Sequence, residues 1–281
     1  MIRNLKKNGR VLRELILLRF HGLMVFRLDF FGPFFVDGSL FAIQLMAFTA
    51  VYSNVDQIGG WGIGEMILYI GTFSLLNAVS MTICFFGLNG IPGKVQSGEL
   101  DLYLTKPVSP LFRLTFENIS PGSIPLVLMS ICIIVYGAGH LQKGITGMAV
   151  IAYLFWLVIM EILYYELEVI VRSISLYIVS TARMEQLEEA GISLSMKLPG
   201  IAFYGIYKVI FYLFLPYGIM ATLPVQSLIG EMSLLLAGYG IFVVLLFSVL
   251  TGVVWKKDCG TIIVPVHKME VHCEYRIYFG I

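Results

Sequence analysis

The residue types that usually carry catalysis do not form a recognisable set in this sequence. A phosphate-binding loop requires the pattern G-x-x-x-x-G-K-[ST], but Val95 follows Gly93 and Lys94, and Leu88 stands where the first glycine is required. The patterns HExxH and GxSxG are also absent. We therefore expect no catalytic residues, and no cofactor bound by this chain itself.

Histidine and cysteine are too scattered to indicate a metal site or a disulfide framework. His267, His272 and Cys273 are of metal-ligating types, but they lie in a segment where solvated side chains are the ordinary outcome. None of the four cysteines forms a CxxC pair, so we expect free thiols.

Three carboxylates interrupt a long apolar stretch. Glu161 and Glu168 are seven residues apart and share one helix face, which favours a polar pathway or a contact with a partner protein. A charged group at the centre of a bilayer costs about 2.5–3.5 kcal/mol on insertion scales, so carboxylates within an apolar span need a structural or functional explanation. The alternative is that Glu166 and Glu168 lie near the inner membrane interface and snorkel, which leaves only Glu161 deep.

The segment SGELDLYL (97–104) has the pattern of a short amphipathic helix. Ser97 is suited to cap its start, carboxylates in the first turn complement the helix dipole, and leucines at i, i+4 form an apolar face. Such a helix is suited to docking by another protein; the alternative is a plain connector. The predicted docking residues are Gly98, Glu99, Leu100, Asp101, Leu104 and Pro107.

The composition that surrounds these segments is that of a membrane protein. The 281 residues are 58% hydrophobic and 13% charged, whereas soluble domains average about 45–50% and about 25%. A net charge of +1 indicates no nucleic-acid partner.

The first thirty residues are rich in Lys and Arg, which predicts an interfacial helix at a cytoplasmic end. Gly32 and Pro33 are expected to interrupt the chain after it. We expect no cleavable signal peptide.

Apolar blocks predict membrane spans over residues 34–52, 64–88, 119–137, from about 145 past 170, and 232–255. Pro121, Gly122 and Pro125 predict a kinked or late start to the third span, and Arg172 an inner end to the fourth. The fifth span is ambiguous. Hydropathy alone makes 183–197 a cytoplasmic loop and 201–223 the span.

Three segments resemble one protein family. The first is SGELDLYLTKPVSPLF, and the second is a GGW loop followed by a glutamate. The third, within residues 216–230, contains a proline, a threonine, a second proline, a leucine and a glycine in that order. These features resemble the type-2 ABC transporter permeases, more narrowly a branch of paired bacterial permeases, over residues 34–257. The residues outside the first segment are Gly59, Gly60, Trp61, Glu65, Pro216, Thr222, Pro224, Leu228 and Gly230.

The apolar blocks and the distribution of Lys and Arg predict six spans with both termini cytoplasmic. The resemblance implies an all-α bundle in the bacterial cytoplasmic membrane among its lipids. It implies an exporter in which two permeases, of the same or dissimilar sequence, sit over a dimer of ATPase subunits that bind ATP. Residues 90–113 would then be the coupling loop. The chain would comprise an interfacial helix (1–33), a transmembrane domain (34–257) and a divergent tail (258–281) that lacks the family's usual ending.

The same resemblance favours a different fifth span. It implies that a polar helix over 183–198 is packed inside the bundle, followed by a re-entrant pair over 198–230 that is broken at Pro216 and Pro224. The runner-up function is an ATP-independent secondary transporter that uses the carboxylates of the fourth span, but we find no internal repeat of the kind such transporters show.

Overall fold

The computed structural model describes residues 27–104, 109–141, 144–174 and 181–262, together with Glu14 and Leu17. These residues contain helices and no strand, which confirms the all-α class. The α-helices are α1 Arg27–Tyr52, α2 Ile63–Ser80, α3 Phe86–Asn89, α4 Ile91–Gln96, α5 Asp101–Leu104, α6 Pro110–Glu117, α7 Ile124–Gly139, α8 Gly147–Ile174, α9 Thr181–Lys197, α10 Gly205–Val209, α11 Tyr217–Met220, α12 Thr222–Ile229 and α13 Leu234–Ile262.

Four helical segments of the described chain are long and apolar enough to cross a membrane: Ile63–Val95, Pro121–Gly139, Gly147–Ile174 and Leu234–Lys257. A fifth crossing results if the bent pair Gly205–Phe214 and Tyr217–Ile229 counts as one span. Helix α1 coincides with the predicted first span but is not among these candidates. The count of six therefore stays a prediction.

Several predicted boundaries are wrong. The second span does not end at 88, because a π-helix over Met81–Phe85 leads into α3 and α4, which carry the helical path to Gln96. Helix α1 runs through Gly32 and Pro33 without a break, and most of the predicted interfacial helix lies outside the described residues. Helix α13 continues to Ile262, beyond which the predicted tail is not described.

The third span does begin late, as its prolines predicted. A 3-10 turn over Pro121–Ser123 precedes α7, and Pro125 lies in the first turn of α7, where its missing N–H costs no helical hydrogen bond.

Helices α2 and α7 pack closely because each presents a glycine to the other. A methyl group on Gly137 would lie 2.7 Å from the backbone nitrogen of Leu68, and one on Gly71 would lie 2.9 Å from the backbone nitrogen of Ile134. Membrane helices without a hydrophobic driving force between them associate through such close backbone approach.

The region after residue 180 contains a helix and a bent helical pair, and the choice between the two predicted positions of the fifth span stays a prediction. Residues 181–197 form helix α9, not a loop. The chain then bends by 79° between Gly205–Phe214 and Tyr217–Ile229, at Pro216. Pro224 does not break the chain, because it lies in the first turn of α12, where proline is tolerated.

The motif residues outside the segment 97–104 stabilise the turn before α2 and its contact with α12. Ile58 and Trp61 exchange backbone hydrogen bonds of 2.9 and 3.1 Å across the Gly59–Gly60 turn, and Trp61 is buried in a cluster with Leu228. The Glu65 carboxylate accepts a hydrogen bond from the first backbone N–H before α2.

Thr222 joins the second half of the bent region to the 3-10 turn over Gly200–Ala202 that precedes it. Its hydroxyl accepts a 3.1 Å hydrogen bond from the backbone N–H of Gly200 and donates a 2.7 Å hydrogen bond to the carbonyl of Gly218. The irregular backbone is thus satisfied within the protein, as it must be away from water.

We expect Gly137→Ala to lower the free energy of unfolding in detergent by about 1–3 kcal/mol, because the new methyl group would push α7 off the backbone of α2. Thermal unfolding followed by helical circular dichroism would measure this change. Gly139→Ala is the matched control, since nothing lies within 4 Å of its position. Equal melting temperatures for the two variants would contradict the close approach.

Candidate functional site: an anchored loop and a buried ion cluster

The backbone of the predicted coupling loop is a turn followed by a short helix. Ser97 ends α4, with its hydroxyl donating to the carbonyl of Lys94, and does not cap a helix over 98–104. Gly98 has φ +72°, a conformation that side-chain-bearing residues adopt at a cost. This turn lets the backbone N–H of Leu100 donate to the carbonyl of Lys94 at 3.1 Å. The predicted helix is therefore reduced to α5, Asp101–Leu104.

Leu100 anchors this loop to the interior of the bundle. Its side chain is 3% exposed and packs in an apolar group, which we call the loop cluster, that joins the π-helix, α3–α6, α8 and α13. The prediction that Leu100 fills a groove on a partner is wrong, because the chain's own core already surrounds it. The buried members of the loop cluster are Cys84, Leu88, Ile91, Leu100, Tyr103, Leu111, Leu114, Val169 and Trp255.

A polar network fastens the loop a second time. The Lys94 ammonium donates to the Tyr103 hydroxyl at 2.8 Å and to the Glu117 carboxylate at 2.5 Å. Lys94 and Arg113 each lie 4.7 Å from the centre of the Tyr103 ring. Burial by itself would raise the pKa of Glu117, but hydrogen bonds from Lys94 and Tyr103 and nearby positive charge lower it below its ordinary value. The network is thus most stable with Glu117 ionised.

The other predicted docking residues are placed as follows. Gly98 and Glu99 are exposed, so Glu99 presents its carboxylate to the surroundings of the chain. Asp101 and Leu104 begin and end α5, and Pro107 lies outside the described residues. Leu102, which the pattern did not single out, is exposed.

The carboxylates of α8 do not snorkel at an interface. Glu166 is buried and accepts a hydrogen bond from the hydroxyl of Ser248 on α13. Glu168 is buried and pairs with Arg172. One carboxylate oxygen of Glu161 is also buried, with no hydrogen-bond partner. The fourth span therefore carries three carboxylates turned toward protein rather than lipid.

Arg172 lies in the last turn of α8, in agreement with its predicted place at the end of the fourth span, and it is also the centre of a buried ion cluster. Its guanidinium lies 3.3 Å from a carboxylate oxygen of Glu168, one helical turn earlier, and 2.9 Å from one of Glu188 on α9. It also lies 5.7 Å from the centre of the Phe85 ring in the π-helix. This cluster ties α9 to α8 and α8 to the second span.

Sequence reasoning missed Arg172, Glu188, Lys94 and Glu117 as members of these sites. The i, i+4 spacing of Glu168 and Arg172 was a usable signal for an ion pair on one helix face. No spacing rule could have joined Glu117 to Lys94, which is 23 residues away, because the contact depends on how α6 folds back on α4.

The Lys94–Glu117 pair predicts how protection of the loop depends on pH. Because the folded pKa of Glu117 is lowered, its stabilising contribution is complete at neutral pH and is lost as pH falls below the ordinary glutamate value of about 4.3. We expect limited proteolysis within 97–109 to increase over that acid range in the unaltered chain, and Glu117→Gln to be cleaved readily already at pH 7. A Glu117→Gln variant with the same resistance and acid response would contradict this role.

Comparison with known proteins gives one finding. A search of curated proteins and a search of solved structures return no match. The family model described as ABC-2 family transporter protein matches residues 39–259, which span the loop, the ion cluster and the described membrane helices. Because the match covers most of the sequence, this chain belongs to the ABC-2 family of transporter membrane subunits.

Proposed function

We propose that the chain is the transmembrane permease of an ATP-binding cassette exporter, coupled to a separate ATPase dimer through residues 90–113. Family membership supports a membrane transport subunit. In this proposal the ATPase subunits bind and hydrolyse ATP, this chain hydrolyses none, and loop movement is converted into rearrangement of the helices. The membrane is the bacterial cytoplasmic membrane, with the loop and both termini on the cytoplasmic side.

The position of Leu100 is the observation that carries this proposal. The exposed Glu99 directly precedes the buried Leu100 in the sequence. A force applied to the exposed side of the loop therefore acts on a residue that is covalently bonded to one in the core. Leu100 shares its cluster with Val169 of α8 and Trp255 of α13. Close-packed side chains transmit displacement rather than absorb it. A plain connector would have no need of anchors on several membrane helices.

The outer face of α9 supports a second permease as a partner. Gln186 and Glu189 are exposed in the single chain, whereas Glu188 between them is buried. A helix at membrane depth does not present such side chains to lipid without a large cost. We propose that this face lies against a second permease, of the same or dissimilar sequence, along the substrate pathway. Glu161 is the carboxylate of α8 that we retain as a pathway candidate.

The runner-up, a secondary transporter driven through the carboxylates of α8, is not favoured. The family to which the chain belongs uses an ATPase partner. Two of the three carboxylates already have partners inside the chain, Glu166 with Ser248 and Glu168 with Arg172.

Two loop variants should separate docking from transmission. Glu99→Lys should release the ATPase subunits during co-purification, because reversal of a paired interface charge costs about 2–5 kcal/mol, which is more than tenfold in affinity. Leu100→Ala leaves the exposed surface unchanged but opens a cavity in the loop cluster, so it should retain the ATPase and lose substrate export.

Glu231→Lys is the control for both measurements. It makes the same charge change at an exposed residue just before α13, roughly 35 Å along that helix from Trp255. ATPase recovery, export and the amount of permease in the membrane would be measured for each variant. Full ATPase retention and normal export in Glu99→Lys would remove the coupling role from this loop.

Cysteine labelling in intact cells should establish the proposed orientation. On a cysteine-free background, we expect cysteines at Gln57 and Ile206 to react with a membrane-impermeant maleimide from outside, and a cysteine at Ser97 to react only after permeabilisation. All three positions are exposed in the single chain. Labelling of position 206 solely from inside would restore 201–223 as an ordinary fifth span.

A further inference from the structure

The ion cluster between α8 and α9 contains more acid than base. Arg172 contributes one positive charge, whereas Glu168 and Glu188 contribute two negative charges if both are ionised. Their side chains are 2%, 1% and 5% exposed, respectively. An unpaired ion inside protein is costly enough that the group usually becomes neutral instead.

The hydrogen-bonding pattern shows where the missing positive charge would sit. One carboxylate oxygen of Glu188 and both of Glu168 are buried without a hydrogen-bond donor. The carboxyl groups of the two residues converge on one guanidinium, 3.3 Å and 2.9 Å from its nitrogens. Two ionised carboxylates have no hydrogen to place between them, whereas a protonated carboxyl group can donate to an ionised one.

Among the residues that the structure describes, the groups around the pair supply no second cation. Glu161 and Tyr164 face it from α8, Glu185 from α9 and Tyr217 from α11, while Cys84 and the Phe85 ring face it from the π-helix. Of the described residues whose charges act on Glu168 and Glu188, only Arg172 is a cation.

We propose that Glu168 and Glu188 form a proton-binding site, in which one proton taken from solvent is shared between the two carboxyl groups beside Arg172. With that proton the cluster is electrically neutral, and the unsatisfied oxygens gain a donor. Loss of the proton leaves one net negative charge between α8 and α9. The proposal does not depend on coupling to an ATPase.

The site lies where movement of the loop would reach it. Glu168 is the direct neighbour of Val169, which packs in the loop cluster with Leu100. Displacement of this turn of α8 would therefore move Glu168 relative to Glu188. Separation of the two carboxyl groups admits water, so the proton leaves when α9 moves away from α8 and is bound again when the helices close.

Infrared spectroscopy of the purified full-length chain tests the site directly. At pH 7.5 the unaltered chain should show a carbonyl stretch of a protonated carboxylic acid that is missing from both Glu168→Gln and Glu188→Gln, because the remaining carboxylate then pairs with Arg172. Glu185→Gln is the control and should retain the band. Identical spectra for the unaltered chain and Glu188→Gln would show that both carboxylates are ionised, and would overturn the proposal.

The pH dependence of unfolding gives a second readout. If the folded state holds one more proton than the unfolded state, the unfolding equilibrium constant rises about tenfold for each unit that pH increases above the ordinary glutamate range. Glu188→Gln should remove about one proton from that slope while the variant still folds, since glutamine supplies the hydrogen that the pair shared. Parallel slopes for the two proteins would also overturn the proposal.

Discussion

A charge inside a membrane must find its partner within the protein, and the pairing of Arg172 with Glu168 and Glu188 is where this chain meets that constraint. The two carboxylates come from different helices, so satisfying the guanidinium also fixes where α9 lies against α8. Removal of Arg172 would leave the two buried carboxyl groups without a cation. This contact is one of those that hold the polar helix α9 against α8.

The loop cluster lies on the same stretch of α8. Val169 packs with Leu100, and its neighbour Glu168 turns toward Arg172. Successive residues of a helix point in different directions, so one turn of α8 contacts both the loop and α9. In the proposed exporter this turn is the shortest physical connection between the ATPase and the polar helix. In the same proposal, the Lys94–Glu117 ion pair holds the loop against the bundle while the ATPase moves it.

The irregular backbone near the bent region also finds its hydrogen-bond partners within the protein. The chain turns by 79° at Pro216, and Thr222 satisfies backbone groups on both sides of the bend. Trp61 of the Gly59–Gly60 turn packs against α12. These contacts cover broken helices with protein, which is the condition under which non-helical backbone is tolerated away from water. The motif residues of the GGW segment and of the region around Pro216 therefore serve structure first.

Composition and periodicity by themselves determined that the chain is helical, that it lies in a membrane and roughly where the apolar helices run, because lipid accepts only long apolar segments whose backbone is internally satisfied. Short motifs were enough to indicate the family. Only the tertiary structure decided that Leu100 points inward, that Arg172 is buried between two carboxylates, and that Glu117 reaches Lys94. Spacing along the sequence defines which face of a helix a residue occupies. Which element covers that face, and so whether a charge is solvated or paired, depends on contacts between distant segments, which a local pattern does not contain.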